Sequence, residues 1–143
     1  MAIIKKLVEV ECPKLALAFA RKNIAYAQTL YQSIYEFYSK EFPVKTLAEL
    51  WNFCFQDHNL IPVYGLLIGV WLMKFYEKKL VNCDTMADFM KVLQSHQTCP
   101  PEAIIKNILI LREKYFTHSK VAKNRLENRV LEEVVIDFFR QET

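Results

Sequence analysis

The sequence predicts an all-α fold, a bundle of about five to six helices, on three observations. Apolar residues fill 52% of 143 positions, enough for a single domain spanning 1–143 to bury a core without disulfide or metal staples. Only 2 glycines and 5 prolines are present, too few for the tight turns that hairpins and sandwiches require. Apolar side chains also recur at three- and four-residue intervals, with no internal repeat, low-complexity tract or long linker between the periodic segments.

Taken in order, the segment from about Lys14 to Glu41 carries Leu15, Phe19, Ile24, Ala27, Leu30, Ile34, Phe37 and Tyr38 at helical spacing. It is predicted as one long helix, stopped by Phe42-Pro43. Thr46 is placed to cap a shorter helix holding Leu47, Leu50, Trp51 and Cys54. Pro62 falls in the first turn of an apolar central helix ending near Leu80. The uncharged run from Asn59 to Met73 is shorter than the roughly 20 residues that span a bilayer, so it is expected as a buried helix. Gly65 and Gly69 stand at G-x-x-x-G spacing there, which lets a neighbouring helix approach closely.

Asp84 or Thr85 caps a fourth helix with Met86, Phe89, Met90 and Leu93 on one face, and Cys99-Pro100-Pro101 opens a fifth. In the fifth, Ile104, Ile105, Ile108, Leu111, Tyr115 and Phe116 keep the helical rhythm, and Arg112 falls at the edge of the apolar stripe. An arginine there is costly unless its guanidinium meets a partner or a wet cleft. A last helix carries Leu126, Val130, Leu131, Val134, Val135, Phe138 and Phe139, and is expected to pack on the fifth and central helices.

The opening MAIIKKLVEV lacks a continuous apolar core followed by a small-residue cleavage site, so the expected setting is cytoplasmic, with no membrane span. Cys12, Cys54, Cys83 and Cys99 are then read as reduced thiols. Cys54/His58 and His96/Cys99 could together make a tetrahedral zinc site. Nothing in the sequence brings the two pairs together, so no metal and no cofactor are assigned.

Net charge is +3, unevenly spread. Residues 106–129 hold seven basic and two acidic side chains, a local +5. Such a stretch suits a phosphodiester backbone, or else is a solvated helix face. Within it, LREKYFTHSK resembles the R-x4-6-H signature of HEPN domains, specifically the abortive-infection U-type branch, with Arg112 and His118 at R-x5-H spacing.

That resemblance implies a HEPN-like bundle that forms a homodimer, with the motif helices facing one cleft and a metal-independent endoribonuclease there, a toxin or defence effector. His118 would act as general acid or base and Arg112 would hold the phosphorane, leaving a 2′,3′-cyclic phosphate. Lys114, Lys120, Lys123 and Arg125 would hold RNA, with Tyr115 and Ser119 orienting the histidine. Six residues of ideal helix leave Arg112 and His118 about 120° apart, so the helix must distort near Thr117 or two subunits must share the cleft.

Glu113 stands where the family usually has Asn, Asp or His, which favours an alternative: a non-catalytic helical binding module for RNA or a protein partner, such as an antitoxin or a nucleotidyltransferase. A third class is a plain helical interaction protein that makes contact through exposed aromatics.

Overall fold

The computed structural model describes residues 2–56, 60–95 and 99–117. They form α1 (Ala2–Glu11), α2 (Pro13–Lys22), α3 (Tyr26–Tyr35), α4 (Val44–Phe55), α5 (Ile61–Phe75), α6 (Glu77–Leu80), α7 (Met86–Leu93) and α8 (Pro101–Arg112), followed by a π-helical turn, Glu113–Thr117. The fold is an all-α helical bundle. The described residues hold eight α-helices where five were expected over the same span, because two expected helices are each divided and α1 forms where no helix was assigned; a further interruption ends α3 early.

The first interruption divides the long helix expected from Lys14 to Glu41. Asn23 takes the left-handed conformation at φ 57°, and the amide of Ile24 donates back to the Phe19 carbonyl at 3.0 Å, a helix-ending arrangement that asparagine tolerates. The second follows α3, where Phe37 and Tyr38 both have positive φ, 48° and 59°. Bulky side chains rarely adopt that conformation, and surrounding contacts hold it. Trp51 Nε1 donates to the Phe37 carbonyl at 3.0 Å, and the Tyr38 hydroxyl donates to the Gly65 carbonyl. The third divides the central helix, which stops at Phe75 before the short α6.

Capping follows backbone geometry more than side-chain chemistry. Pro43 precedes α4, so the helix starts at Val44 and Thr46 lies within it. Thr85 does cap α7, its hydroxyl accepting from the Asp88 amide at 3.1 Å. Pro62 and Pro101 lie in the first turns of α5 and α8, as expected.

Helix α5 is the axis of the core. Every residue from Val63 to Met73 is buried, and α1, α3, α4 and α8 pack against it. Each fully buried leucine or isoleucine there contributes about 1.5–3 kcal/mol through apolar burial. The two glycines do what their spacing suggested. A Cβ on Gly65 would lie 3.0 Å from Ile34 Cγ2, and one on Gly69 would lie 2.8 Å from the Tyr38 hydroxyl. Among the described residues no helix is long and apolar enough to cross a membrane. The final helix expected at 126–139 lies outside the described residues.

Candidate functional site

Helix α1 ends on Glu11, an acid at the negative end of a helix dipole, where a carboxylate is disfavoured unless cations face it. The fold supplies them. Lys74 from the last turn of α5 reaches Glu11 Oε1 at 2.9 Å, and Lys114 from the π-helical turn reaches Oε2 at 2.6 Å. The Tyr115 hydroxyl also donates to Oε2. The Glu11 side chain is only 4% exposed. Burial pushes its carboxyl up, but the hydrogen bonds from Lys114, Tyr115 and Lys74 outweigh that and hold it at about 2. Lys114 and Tyr115 are pushed up, Lys114 chiefly by its bond to Glu11 and Tyr115 chiefly by burial and then that same bond.

This junction is where the structure places two residues of the sequence-based site. Lys114 and Tyr115 are engaged with Glu11 and bind α8's continuation to α1. Arg112 is half-buried at the end of α8, the stripe-edge position expected of it. The chain departs from an ideal α-helix at Glu113–Thr117, a π-helical turn; such a distortion is one of the two arrangements expected from the sequence, the other being a cleft shared by two subunits. His118, Ser119, Lys120, Lys123 and Arg125 lie outside the described residues, as do His58 and His96.

The thiols are free, with Cys12, Cys54 and Cys83 buried. Burial pushes Cys12 and Cys54 up to about 12, so both are protonated and unreactive at neutral pH. Among the described residues no cluster of three or more His, Cys, Asp or Glu could hold a metal ion.

A more open surface lies along α1, at Lys5 and Glu9. Lys5 and Glu9, with Phe19 and Ala20 of α2 and the turn from Asn23 to Gln28, enclose a cleft of about 420 Å³. That volume falls in the range of ligand and side-chain pockets. Tyr26 lines it with its ring tilted 46° to that of Phe19, centroids 5.7 Å apart. Burial and then the nearby Glu9 carboxylate push the Tyr26 phenol up to about 12, so it remains a hydrogen-bond donor. Arg21, which follows the cleft residue Ala20 in the last turn of α2, is exposed.

The same helices, α1 to α6, carry the family relationship. The model of the Rab-GTPase-TBC domain, RabGAP-TBC, matches residues 1–81. This chain belongs to that family. No curated protein and no solved structure matches the chain. The match overturns the HEPN resemblance, and with it the endoribonuclease, toxin and abortive-infection reading built on Arg112 and His118. Two helical families share amphipathic periodicity, and an arginine and a histidine six residues apart constrain a sequence far less than 81 matched positions do.

Glu11, Lys74, Arg21 and Tyr26 were missed as site residues. Glu11 carried a weak signal, an acid at a helix end just before Cys12-Pro13. Lys74 carried none, since its pairing with Glu11 spans 63 residues of sequence.

Proposed function

We propose that this RabGAP-TBC chain is a helical protein-binding module whose partner is a small GTPase of the Rab class. The observation that carries the reading is the family match over residues 1–81. It supports the protein-partner side of the binding-module alternative. The cleft between α1, α2 and the α2–α3 turn, with its apolar floor and the Lys5, Glu9 and Tyr26 polar groups, is the surface best suited to receive a partner's side chains. Pockets with an apolar body and a few fixed polar groups give binding energy and orientation together.

A GTPase-activating reading has one observation in its favour. Arg21 is the sole arginine between residues 1 and 81, it is exposed, and arginines supplied in trans stabilise the charge that develops during GTP hydrolysis. The test is titration calorimetry of the purified chain against a panel of Rab GTPases loaded with GDP or a non-hydrolysable GTP analogue, with hydrolysis of GTP followed in parallel. Binding that Tyr26→Ala and Glu9→Lys weaken, with hydrolysis unchanged, supports the module. Accelerated hydrolysis lost in Arg21→Ala makes the chain an activator. Absence of binding across the panel sinks both.

A further inference from the structure

On the face where α5 gives way to α6, an open groove of about 750 Å³ is lined by Lys14, Lys74, Phe75, Glu77, Lys78 and Lys79, with Val81 at its far end. Its charges are unequally committed. Lys74 is held by Glu11, and Glu77 lies near the buried Cys12 thiol, which its charge helps to keep protonated. Lys14, Lys78 and Lys79 are exposed and make no ion pair among the described residues. The groove thus presents three exposed ammonium groups against a single half-buried carboxylate, Glu77, and its lining is net positive.

Its apolar members are also outward. Phe75 is 46% and Val81 37% exposed, although Phe75 stacks on Trp71 with centroids 4.9 Å apart. The wall is preformed: Lys22 Nζ donates to the Val81 and Cys83 carbonyls at 3.0 and 2.8 Å, fixing the chain after α6. A rigid aromatic seated on a buried tryptophan and ringed by lysines is an anchor with low ordering cost.

We propose that this groove docks an acidic, extended segment of a partner protein carrying one large apolar side chain. Its carboxylates lie on Lys14, Lys78 and Lys79, and its apolar side chain packs between Phe75 and Val81. Charge complementarity selects the acidic segment. The concave shape favours a peptide over a bilayer, because a flat headgroup surface does not enter a groove of about 750 Å³. The inference stands apart from the Rab-GTPase reading, since it uses a different face.

The test is fluorescence anisotropy with a fluorescein-labelled peptide of glutamates around a central phenylalanine, at two salt concentrations. Binding to the native chain is expected, weaker at the higher salt because the contacts are exposed charges. Lys78→Glu combined with Lys79→Glu is expected to weaken it by about tenfold or more, and Phe75→Ala by about threefold. Lys45→Glu combined with Lys91→Glu changes net charge equally, at exposed positions elsewhere, and should leave binding unchanged. Circular dichroism checks that each variant is folded. The proposal is overturned by no binding, by equal loss in the control pair, or by retention after reversal of Lys78 and Lys79. It is also overturned if phosphatidylserine vesicles or polyuridylate bind at this face while the peptide does not.

Discussion

Helices α5 and α8 are both rich in Ile and Leu, yet they end in different circumstances. In α5 every residue from Val63 to Met73 is buried. In α8 the buried set is Ile104, Ile108 and Leu111, while Leu109 and Ile110 stand 40% and 54% exposed. The two helices touch, so they share one core. The difference is the number of neighbours among the described residues: α1, α3, α4 and α8 surround α5, whereas α8 packs against α5 and α4 along one stripe. Composition makes a helix able to be buried, and the count of surrounding elements decides how much of it is.

The most damaging way to probe that contrast is Leu67→Ala. Leu67 is fully buried, so a cavity should cost about 3–4 kcal/mol, read as a lower urea midpoint with unchanged slope. A loss below about 1 kcal/mol would mean that α5 is not the packed axis described above.

Next is the junction that ties both helices to α1. Glu11→Gln removes the carboxylate that Lys74 of α5 and Lys114 beyond α8 share. It should cost on the order of 2 kcal/mol at neutral pH, discounted because both lysines are about half exposed. The pH dependence has a definite sign. The Glu11 carboxyl lies at about 2 in the folded chain against an ordinary value of 4.5, so its stabilisation is complete above that ordinary value and is lost as pH falls toward 2. Acid unfolding of the native chain should show that loss, and Glu11→Gln should flatten it; parallel curves would exclude the junction as its source.

A smaller effect is expected at the closest approach to α5. Gly69→Ala gains helix propensity but drives a methyl against the Tyr38 hydroxyl, for a net cost of about 1–2 kcal/mol. Adding Tyr38→Phe clears the contact, so the double variant should lose less than the sum of the two singles. Strict additivity would show that the hydroxyl does not set the spacing.

The smallest change is Leu109→Ala on the exposed side of α8, within about 0.5 kcal/mol. A cost like that of Leu67→Ala, particularly one that varies with protein concentration, would reveal that this face is covered in an oligomer.

Several elements were legible because their cause is local. Pro62 and Pro101 mark helix starts through a fixed φ and a missing donor, and Thr85 caps α7 through a hydroxyl three residues from the amide it accepts. Gly65 and Gly69 announced a close approach, and the helices that use it are α1 and α3. The break at Asn23 was also written locally, in an Arg-Lys-Asn ending, but the apolar rhythm runs through it unbroken and masked the stop. Phe37 and Tyr38 carried no such sign, since no local rule puts two aromatics at positive φ. Trp51 and Gly65, which hold them there, come from elsewhere in the chain.

The functional reading failed for a related reason. LREKYFTHSK drew the eye because its residues are chemically suggestive, whereas the family relationship lies in 1–81, spread thinly over positions that are mostly apolar and individually unremarkable. Within the suggestive segment, Lys114 and Tyr115 are engaged with Glu11, more than 100 residues away in sequence.

By itself the sequence determined the all-α class, the apolar central helix and the starts of α5, α7 and α8, because periodicity, proline and capping act over a few residues. Only the tertiary structure decided that Glu11 gathers Lys74, Lys114 and Tyr115, that the Tyr38 hydroxyl fills the space left by a glycine, and that three lysines stay uncommitted around Phe75. Each of these depends on which side chains meet after distant helices have packed, and local spacing does not specify a charge's partner across the bundle.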